Sequence, residues 1–286
     1  MILVLVATIF FRYTQVLPSM AKGKTTVAPV AGATRDNNMA MGNPSNATAD
    51  AKNKDNYLLV KPVYTLSYNN SKGIPNWVSW HLSTAWLGNT DRCNCFAADE
   101  SLPAAFLQVR GTNYVGSGFD RGHLCPSADR SATQEDNAAT FAMTNMAPQA
   151  PVLNEKTWEH FESYCRKLAA EGNELYIIAG YYGSHGEGKK GYADTIAGGK
   201  IMVPSHFWKI AVVLPVGADD VNRITKNTRV IAVYMPNTQS VDQYEWDHYR
   251  TTVDAIETAT GYDFLSEVPV SIQKVIEARK DTMPVN

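Results

Sequence analysis

A short glycine-rich segment carries three side chains that together could cleave a phosphate ester. Residues 116–123 read GSGFDRGH, so Asp120, Arg121 and His123 lie close together along the chain. A histidine can accept a proton, and the planar guanidinium of an arginine suits a phosphate. Asn154, 31 residues after His123, offers a neutral oxygen of the kind that Mg²⁺ accepts. Base, cation and metal are the groups that hydrolysis of a phosphodiester requires.

The blocks around this segment resemble the DNA/RNA non-specific endonuclease family, the ββα-metal nucleases that carry a DRGH motif. Four blocks follow in the family's order and spacing: DRGHLCPSADR (120–130), EDNAATFAMTNMAPQ (135–149), LNEKTWEHFESYCRKL (153–168) and ELYIIAG (174–180). Similar blocks before and after them extend the resemblance over about residues 57–269. The DRGH motif alone would be weak support, whereas the ordered set of blocks is specific.

The resemblance implies a fold and an activity. The fold is α+β, with a central antiparallel sheet flanked by helices and the active site in a ββα-metal finger. The activity is metal-dependent hydrolysis of phosphodiester bonds in DNA and RNA, the expected partners, and it leaves 5′-phosphate ends. Mg²⁺ is the expected cofactor, with Mn²⁺ as a substitute. A protein inhibitor is not inferable from the sequence.

The resemblance also implies a role for each candidate residue. His123 is the general base, Asp120 helps to hold the site, and Asn154 is the only direct protein ligand of the metal. Glu162 lies near the water shell of the metal. Three arginines neutralise the charge of the substrate phosphate: Arg92, Arg121 and Arg166. Together these side chains form the expected active site.

Other interpretations of the same residues stay open. Asparagine is a preferred N-cap, and Pro148 and Pro151 precede Asn154, so this side chain could simply cap a helix. Glu162 and Arg166 could form an i,i+4 pair on a solvated helix face. The remaining histidines are expected to be structural or exposed, since none of them follows an Asp-Arg-Gly turn.

The elements that must position these residues follow from hydrophobic periodicity. Alternating or β-branched apolar runs predict strands over residues 64–68, 77–82, 175–179, 207–214 and 230–235. Helical periodicity predicts helices over 135–146, 153–170 and 247–260, the last of which ends at Gly261. Strands mixed irregularly with helices favour an α+β fold over a βαβ winding.

The predicted helix over 153–170 has two stripes. Asn154, Trp158, Glu162 and Arg166 recur every four residues, which predicts that they share one face. An apolar stripe beside them must face the core. The first stripe is therefore expected at the edge of the buried face, where a cleft would lie.

The overall charge limits the classes of function. The chain has 286 residues and a formal net charge of −2. A protein that holds nucleic acid tightly is usually basic, so this charge argues against a packaging or regulatory protein. An enzyme that releases its product needs only a local basic patch. Two alternatives stay open: a catalytically inactive nucleic-acid-binding protein on the same scaffold, and a phosphoesterase that acts on small diesters.

The N-terminal part of the chain differs from the rest. Residues 2–11 are apolar and too few to span a membrane, which predicts a signal peptide over 1–19 and an A-x-A cleavage site at 31–33. Residues 20–55 lack a hydrophobic period and are expected to form a disordered tether. The nuclease-like domain is then 56–286. We expect a secreted or periplasmic protein with no stable membrane insertion.

The chain has four cysteines, Cys93, Cys95, Cys125 and Cys165. In an exported protein their expected use is disulfide pairing. A bond from Cys93 or Cys95 to Cys125 or Cys165 fits, because all four flank the candidate site residues. The alternative is that they are free buried thiols, and the spacing does not choose between the two.

Overall fold

The computed structural model describes residues 28–285, so the expected signal peptide lies outside the described residues. The strands are β1 (Tyr57–Val60), β2 (Thr65–Asn69), β3 (Ile74–Leu82), β4 (Asp120–His123), β5 (Met146–Gln149), β6 (Asn173–Tyr182), β7 (Gly186–Gly188), β8 (Gly191–Ala193), β9 (Thr195–Ile196), β10 (Ile201–Met202), β11 (His206–Pro215), β12 (Arg229–Pro236) and β13 (Arg250–Thr251). Seven of them form the central antiparallel sheet in the order β1-β2-β3-β6-β11-β12-β13.

Helices cover both faces of this sheet. The α-helices are α1 (Gln134–Ala139), α2 (Trp158–Ala170), α3 (Asp220–Arg223), α4 (Val253–Thr260) and α5 (Val270–Ile276). Shorter 3₁₀ turns lie in the segments between strands and helices: Thr84–Trp86, Gly111–Tyr114, Ser127–Arg130, Met143–Asn145, Val241–Gln243 and Trp246–Tyr249. α2 contributes Phe161 to the apolar core on one face, and α4 contributes Ile256 to the core on the other. No helix in the range 28–285 is long and apolar enough to cross a membrane. The predicted α+β class is confirmed.

Strand β11 shows how the two faces are built. Phe207 and Ala211 belong to the core beside α2, whereas Trp208 and Ile210 belong to the core beside α4. Successive side chains of a strand point to opposite faces. Lys209 lies between these positions and is fully buried, so its ammonium is directed towards α2. A central strand of this sheet therefore carries one charge into the core on the side of the candidate site.

A strand–strand–helix finger packs against that side of the sheet. β4 carries the DRGH motif and pairs antiparallel with β5, so that Arg121 faces Pro148 and His123 faces Met146. The chain then enters a helix at Pro151, which continues into α2. This succession of β4, β5 and helix is the predicted ββα finger.

The sequence predicted the strands better than the helices. The five predicted strands coincide with β2, β3, β6, β11 and β12. Of the predicted helix over 247–260, only Val253–Thr260 forms α4, and residues 250–251 form β13 instead. Gly261 follows α4 with a left-handed φ of 72°, as expected for its end. The predicted helix over 135–146 is too long, because α1 stops at Ala139. There the Asn137 carbonyl accepts the Thr140 hydroxyl, and the Asn145 side chain binds the Thr140 carbonyl. Side chains of this kind compete with the helix for backbone groups.

The expected disordered tether is also wrong for the part that the structure describes. In residues 28–55, Met41 and Ala47 are buried in the core beside α4. The Asn43 side chain closes a turn by bonding both the amide and the carbonyl of Ala47, at 3.0 and 2.9 Å. The Asn38 carbonyl accepts the Ser79 hydroxyl of β3 at 2.6 Å. The asparagines that suggested disorder are therefore turn and pairing residues.

Candidate active site

Strand β4 brings the polar residues of the motif together in one short segment. His123 is 7% exposed and lies at the end of the strand. Gly122 is required beside it, because a Cβ at this position would lie 2.0 Å from Oε1 of Gln149. Asp120 and Arg121 are half-buried and face a surface cleft. One short strand thus holds the buried imidazole of His123 close to the charged side chains of Asp120 and Arg121.

Four of the predicted site residues line one cleft. Its volume is about 270 Å³. The lining residues are Arg92, Asn94, Phe96, Tyr114, Val115, Phe119, Asp120, Arg121 and Asn154. Residues from the loop before the finger, from β4 and from the helix therefore meet at one surface.

Asn154 is not an N-cap. The helix begins at Pro151, and the Asn154 amide already donates to the Ala150 carbonyl at 2.9 Å, so this residue lies inside the first turn. Its Nδ2 donates to Oδ2 of Asp120 at 2.9 Å. Because the amide nitrogen is directed to Asp120, the Oδ1 atom of Asn154 is available to a ligand in the cleft.

A π-helical turn, Leu153–Thr157, separates Asn154 from the rest of the helix. The Trp158 amide bonds the Leu153 carbonyl, five residues back. This extra residue rotates Asn154 relative to α2, so the predicted shared face of four residues does not form. Asn154 reaches the cleft, whereas Trp158 and Glu162 are buried. π-turns of this kind are frequent at functional sites.

The His123 imidazole is held in an apolar and electropositive pocket. Its ring contacts Phe141 and Phe96, with ring centroids 4.8 and 5.7 Å away. Burial lowers the pKa of His123 to about 3, assisted by the positive charges of Arg92 and Arg121. Its buried Nε2 has no hydrogen-bond partner among the described residues. The imidazole is therefore neutral and has an unused polar atom, which is the state a proton acceptor needs.

Two arginines of the cleft are held by uncharged groups. The Arg92 guanidinium donates to Oδ1 of Asn94 at 2.9 Å and to the Ser127 hydroxyl at 2.6 Å. The Arg121 guanidinium lies 4.1 Å from the centre of the Phe96 ring. Within residues 28–285 neither guanidinium forms a salt bridge with a carboxylate. Both charges are thus available to an anion.

Glu162 and Arg166, unlike the two arginines of the cleft, are each paired with an oppositely charged side chain. Neither lines the cleft, and they do not form the i,i+4 pair that the sequence allowed. Arg166 bonds Asp129 at 2.9 Å and lines a neighbouring depression together with Arg92. Glu162 accepts from Nζ of Lys209 at 2.9 Å, and burial raises its pKa despite the attraction of Lys209 and Arg166. Glu162 is thus buried, whereas Arg166 reaches the depression beside the cleft.

Lys209 is a residue that the sequence reading missed. It is fully buried, and its Nζ lies 4.1 Å from the centre of the Trp158 ring. A lysine inside the apolar run FWKIAVVL was a signal, since a charged residue is almost never fully buried without a partner. Asn94 carried no comparable signal, because an exposed loop asparagine is ordinary.

The disulfide across the site that the sequence allowed does not form. Cys93 bonds Cys95, with Cα atoms 5.1 Å apart, whereas Cys125 and Cys165 are free and buried. The reason is spatial. The first pair lies in the surface loop beside the cleft, and the second pair belongs to the core beside α2. The alternative of free buried thiols therefore holds for two of the four cysteines.

A second group of ligand-type side chains lies away from the cleft. Its ligand atoms are within 4.8 Å of one another, and its members are Asp36, His81, Glu174 and Asp220. These atoms already have protein partners: Nδ1 of His81 accepts from Nε1 of Trp86 at 3.3 Å, and Arg223 bonds both Glu174 and Asp220. The group is accordingly an internal polar network that ties residue 36 to β3 and β6.

The chain is similar to known nucleases in sequence and in fold. A family model described as DNA/RNA non-specific endonuclease matches residues 41–271. A nuclease from Nostoc sp. is 51% identical over 243 residues, which cover 85% of each chain. The mitochondrial nuclease of Saccharomyces cerevisiae is 32% identical over 219 residues, 73% of this chain and 65% of that one. A crystal structure described as the EndoG/EndoGI complex has a TM-score of 0.68 at 24% identity, covering 85% of this chain and 96% of that chain.

The fold is therefore that of the ββα-metal nucleases. The chain belongs to the DNA/RNA non-specific endonuclease family, and it is a nuclease, a hydrolase of nucleic acids. The predicted family, fold class and enzyme class are confirmed. The family match begins at residue 41, inside the segment that the sequence had assigned to a tether.

Proposed function

We propose that this protein hydrolyses phosphodiester bonds of both DNA and RNA with a divalent cation, leaving 5′-phosphate and 3′-hydroxyl ends. The observation that carries the proposal is the meeting of Asp120, Arg121, Arg92 and Asn154 at one cleft. His123 lies next to them, neutral and without a partner at Nε2 among residues 28–285. Attack by water does not use the 2′-hydroxyl, so the sugar need not be distinguished.

Asn154 and Asp120 would hold the cation, with Asn154 as the direct ligand. The donor set fits, because Asn154 offers Oδ1 and both side chains line the cleft with oxygen atoms. Oxygen ligands and retained water suit Mg²⁺, with Mn²⁺ as a substitute. When bound, such a cation neutralises charge on the phosphate and on the leaving 3′ oxygen. Asp120 orients the Asn154 amide so that its oxygen faces the ligand.

Side chains of the protein carry out the proton transfer and the binding of the phosphate. His123 accepts the proton of the attacking water, which its low pKa permits because the ring is neutral at physiological pH. Arg92 and Arg121 neutralise the phosphate, and neither is engaged by a carboxylate within the described residues. Arg166 lies in the depression that adjoins Arg92, where it can meet a neighbouring phosphate of a polymer. The ion pair between Glu162 of α2 and Lys209 of β11 fixes the helix against the sheet.

The polymer specificity distinguishes this proposal from a small-diester phosphoesterase. Plasmid DNA, ribosomal RNA and bis(4-nitrophenyl) phosphate are offered separately at equal phosphodiester concentration with Mg²⁺. We expect rapid cleavage of both polymers and far slower cleavage of the small diester, since only a polymer reaches Arg166 as well as the cleft. Mass spectra of the products should show 5′-phosphates. Preferential cleavage of the small diester would contradict the proposal.

We also propose that the enzyme works outside the cytoplasm. The apolar segment over residues 2–11 motivates this, and the Cys93–Cys95 disulfide supports it, because disulfides persist mainly in oxidising compartments. A non-specific nuclease would damage the nucleic acid of its own cell. Mass spectrometry of the active enzyme should find a shortened N-terminus; an intact one on active cytosolic enzyme would overturn the proposal.

A further inference from the structure

The loop between Arg92 and Phe96 has an unusual cross-link at the edge of the cleft. Cys93 and Cys95 form a disulfide with a single residue, Asn94, between them. Cys95 is exposed to solvent and Cys93 is half-buried. Asn94 has a positive φ of 52°, a conformation that asparagine tolerates better than most residues. The bond therefore closes a very tight loop around one side chain that lines the cleft.

That side chain holds a phosphate-binding candidate in place. Oδ1 of Asn94 accepts from Nε of Arg92 at 2.9 Å, and the Ser127 hydroxyl accepts from Nη1 of Arg92 at 2.6 Å. The Cys93 amide donates to Oδ1 of Asn137 at 2.9 Å, and Nδ2 of Asn137 donates to the Ser127 carbonyl at 2.9 Å. The cross-linked loop and the turn at Ser127 thus form one frame around the Arg92 guanidinium.

We propose that Cys93–Cys95 is a redox modification site, and that thiol–disulfide exchange with a dithiol reductant switches Arg92 between a held and a loosened position. The proposal rests on the proposed function, in which Arg92 neutralises the substrate phosphate. With the bond intact, Asn94 is fixed and Arg92 is aligned with the cleft. With the bond reduced, the left-handed turn at Asn94 loses its covalent constraint. Arg92 then keeps its contacts with the Ser127 hydroxyl and the Phe141 ring, but Asn94 no longer holds it in a fixed position.

The exchange is an ordinary two-electron reaction. A thiolate of the dithiol attacks one sulfur of the pair, forming a mixed disulfide and releasing the other sulfur as a thiolate that takes up a proton. The second thiol of the reductant then attacks the mixed disulfide. The reductant leaves as a cyclic disulfide, and Cys93 and Cys95 are left as two thiols. Cys95 is the more exposed residue of the pair, so we expect the attack at its sulfur.

The other cysteines do not compete in this reaction. Cys125 and Cys165 are fully buried, and burial raises the pKa of each thiol to about 12. A thiol that is neither ionised nor exposed is inert in exchange. The pair also stabilises the fold little, since a loop with one intervening residue removes little entropy from the unfolded chain. A change of redox state therefore acts on the cleft and leaves the core intact.

A redox switch of this kind is consistent with the proposed export of the enzyme from the cytoplasm. A newly made chain in a reducing cytoplasm would have Arg92 loosened and would cut weakly. After export to an oxidising compartment, the disulfide would form and the site would be aligned. The nuclease would thus reach full activity only where the nucleic acid of the cell is not exposed to it.

The test compares the oxidised and reduced full-length enzyme. Wild-type protein is treated with dithiothreitol and desalted, and alkylation of the denatured protein confirms a rise from two to four thiols. We expect kcat/KM on DNA to fall about 10-fold, because displacements near 1 Å in a site cost up to about 100-fold. Oxidation should restore it. Affinity for a short DNA in EDTA, read by fluorescence anisotropy, should fall in parallel without requiring catalysis.

Three variants make the result specific. The double variant Cys93→Ser/Cys95→Ser should have the kcat/KM of the reduced enzyme and should not respond to dithiothreitol. Asn94→Ala should lose a similar factor in kcat/KM whether the disulfide is oxidised or reduced. In Arg92→Ala the reductant should have no further effect, since the residue that responds is gone. Equal rates for oxidised and reduced wild type, or an undiminished response in Arg92→Ala, would overturn the switch. Redox-dependent affinity without any cleavage would instead contradict the proposed function and leave the switch standing.

Discussion

Replacing His123 with alanine is expected to lower kcat/KM on both DNA and RNA by about 10²–10⁴-fold, the usual contribution of a general base. The imidazole is buried among Phe96 and Phe141, has no partner at Nε2 among the described residues, and is neutral. His123→Gln fills more of the same space without a comparable base, so it controls for the cavity that alanine leaves. Both variants should lose activity alike, measured by initial rates with circular dichroism as a check of folding. A near-wild-type rate in either variant would reject the assignment.

The pH profile tests the same residue without a mutation. The pKa of His123 is lowered to about 3, so in the free enzyme the base is already neutral above about pH 4. Because kcat/KM reports the free enzyme, its acid limb should lie well below the ordinary histidine pKa of about 6.5. Activity should therefore be level with respect to this group from about pH 5 to 7 and fall only in stronger acid. An acid limb centred near 6.5 that disappears in His123→Gln would contradict the lowered pKa.

Replacing Asn154 with alanine is expected to raise the Mg²⁺ concentration needed for half-maximal activity by more than about 10–100-fold, the range typical when a residue that supports a metal ligand is changed. The loss should exceed that range because Oδ1 of Asn154 is the direct ligand in the proposed site. Stability should change little, since Asn154 is not an N-cap and loses only one half-buried hydrogen bond, to Asp120. Activity is titrated against Mg²⁺, with thermal melts alongside.

Glu155→Ala is the matched control for this titration. Glu155 is the next residue in the same π-helical turn, is exposed and does not line the cleft. Its variant should keep the metal dependence of the wild type. A curve for Asn154→Ala that does not move relative to Glu155→Ala would end the ligand assignment.

Much of the site could be predicted because its central residues are close together in the sequence. Asp120, Arg121 and His123 belong to one strand of four residues, so their neighbourhood does not depend on the rest of the fold. Asn154 is distant in sequence, and its place in the cleft was expected only from the order of the blocks that resemble the endonuclease family. Burial of the central strands followed from their β-branched apolar runs.

The remaining features depend on contacts that periodicity does not encode. The Glu162–Lys209 pair forms only because β11 packs beneath α2, which no local pattern predicts. The π-turn adds one residue to a helix turn without disturbing the apolar stripe, so the expected shared face looked intact. The Cys93–Cys95 bond was missed for a different reason. A bond across the site was compatible with the cysteine positions in the sequence, whereas the two other cysteines are enclosed in the core.

The most direct test of the central claim is removal and return of the metal with both substrates. Wild-type enzyme is incubated with plasmid DNA and with ribosomal RNA, in Mg²⁺, in excess EDTA, and in EDTA followed by excess Mg²⁺, with His123→Ala in parallel. The proposed chemistry requires that the wild type degrade both polymers in Mg²⁺, stop in EDTA and recover when Mg²⁺ is returned, while His123→Ala stays inactive throughout. Undiminished cleavage in EDTA, or degradation of only one of the two polymers, would contradict it.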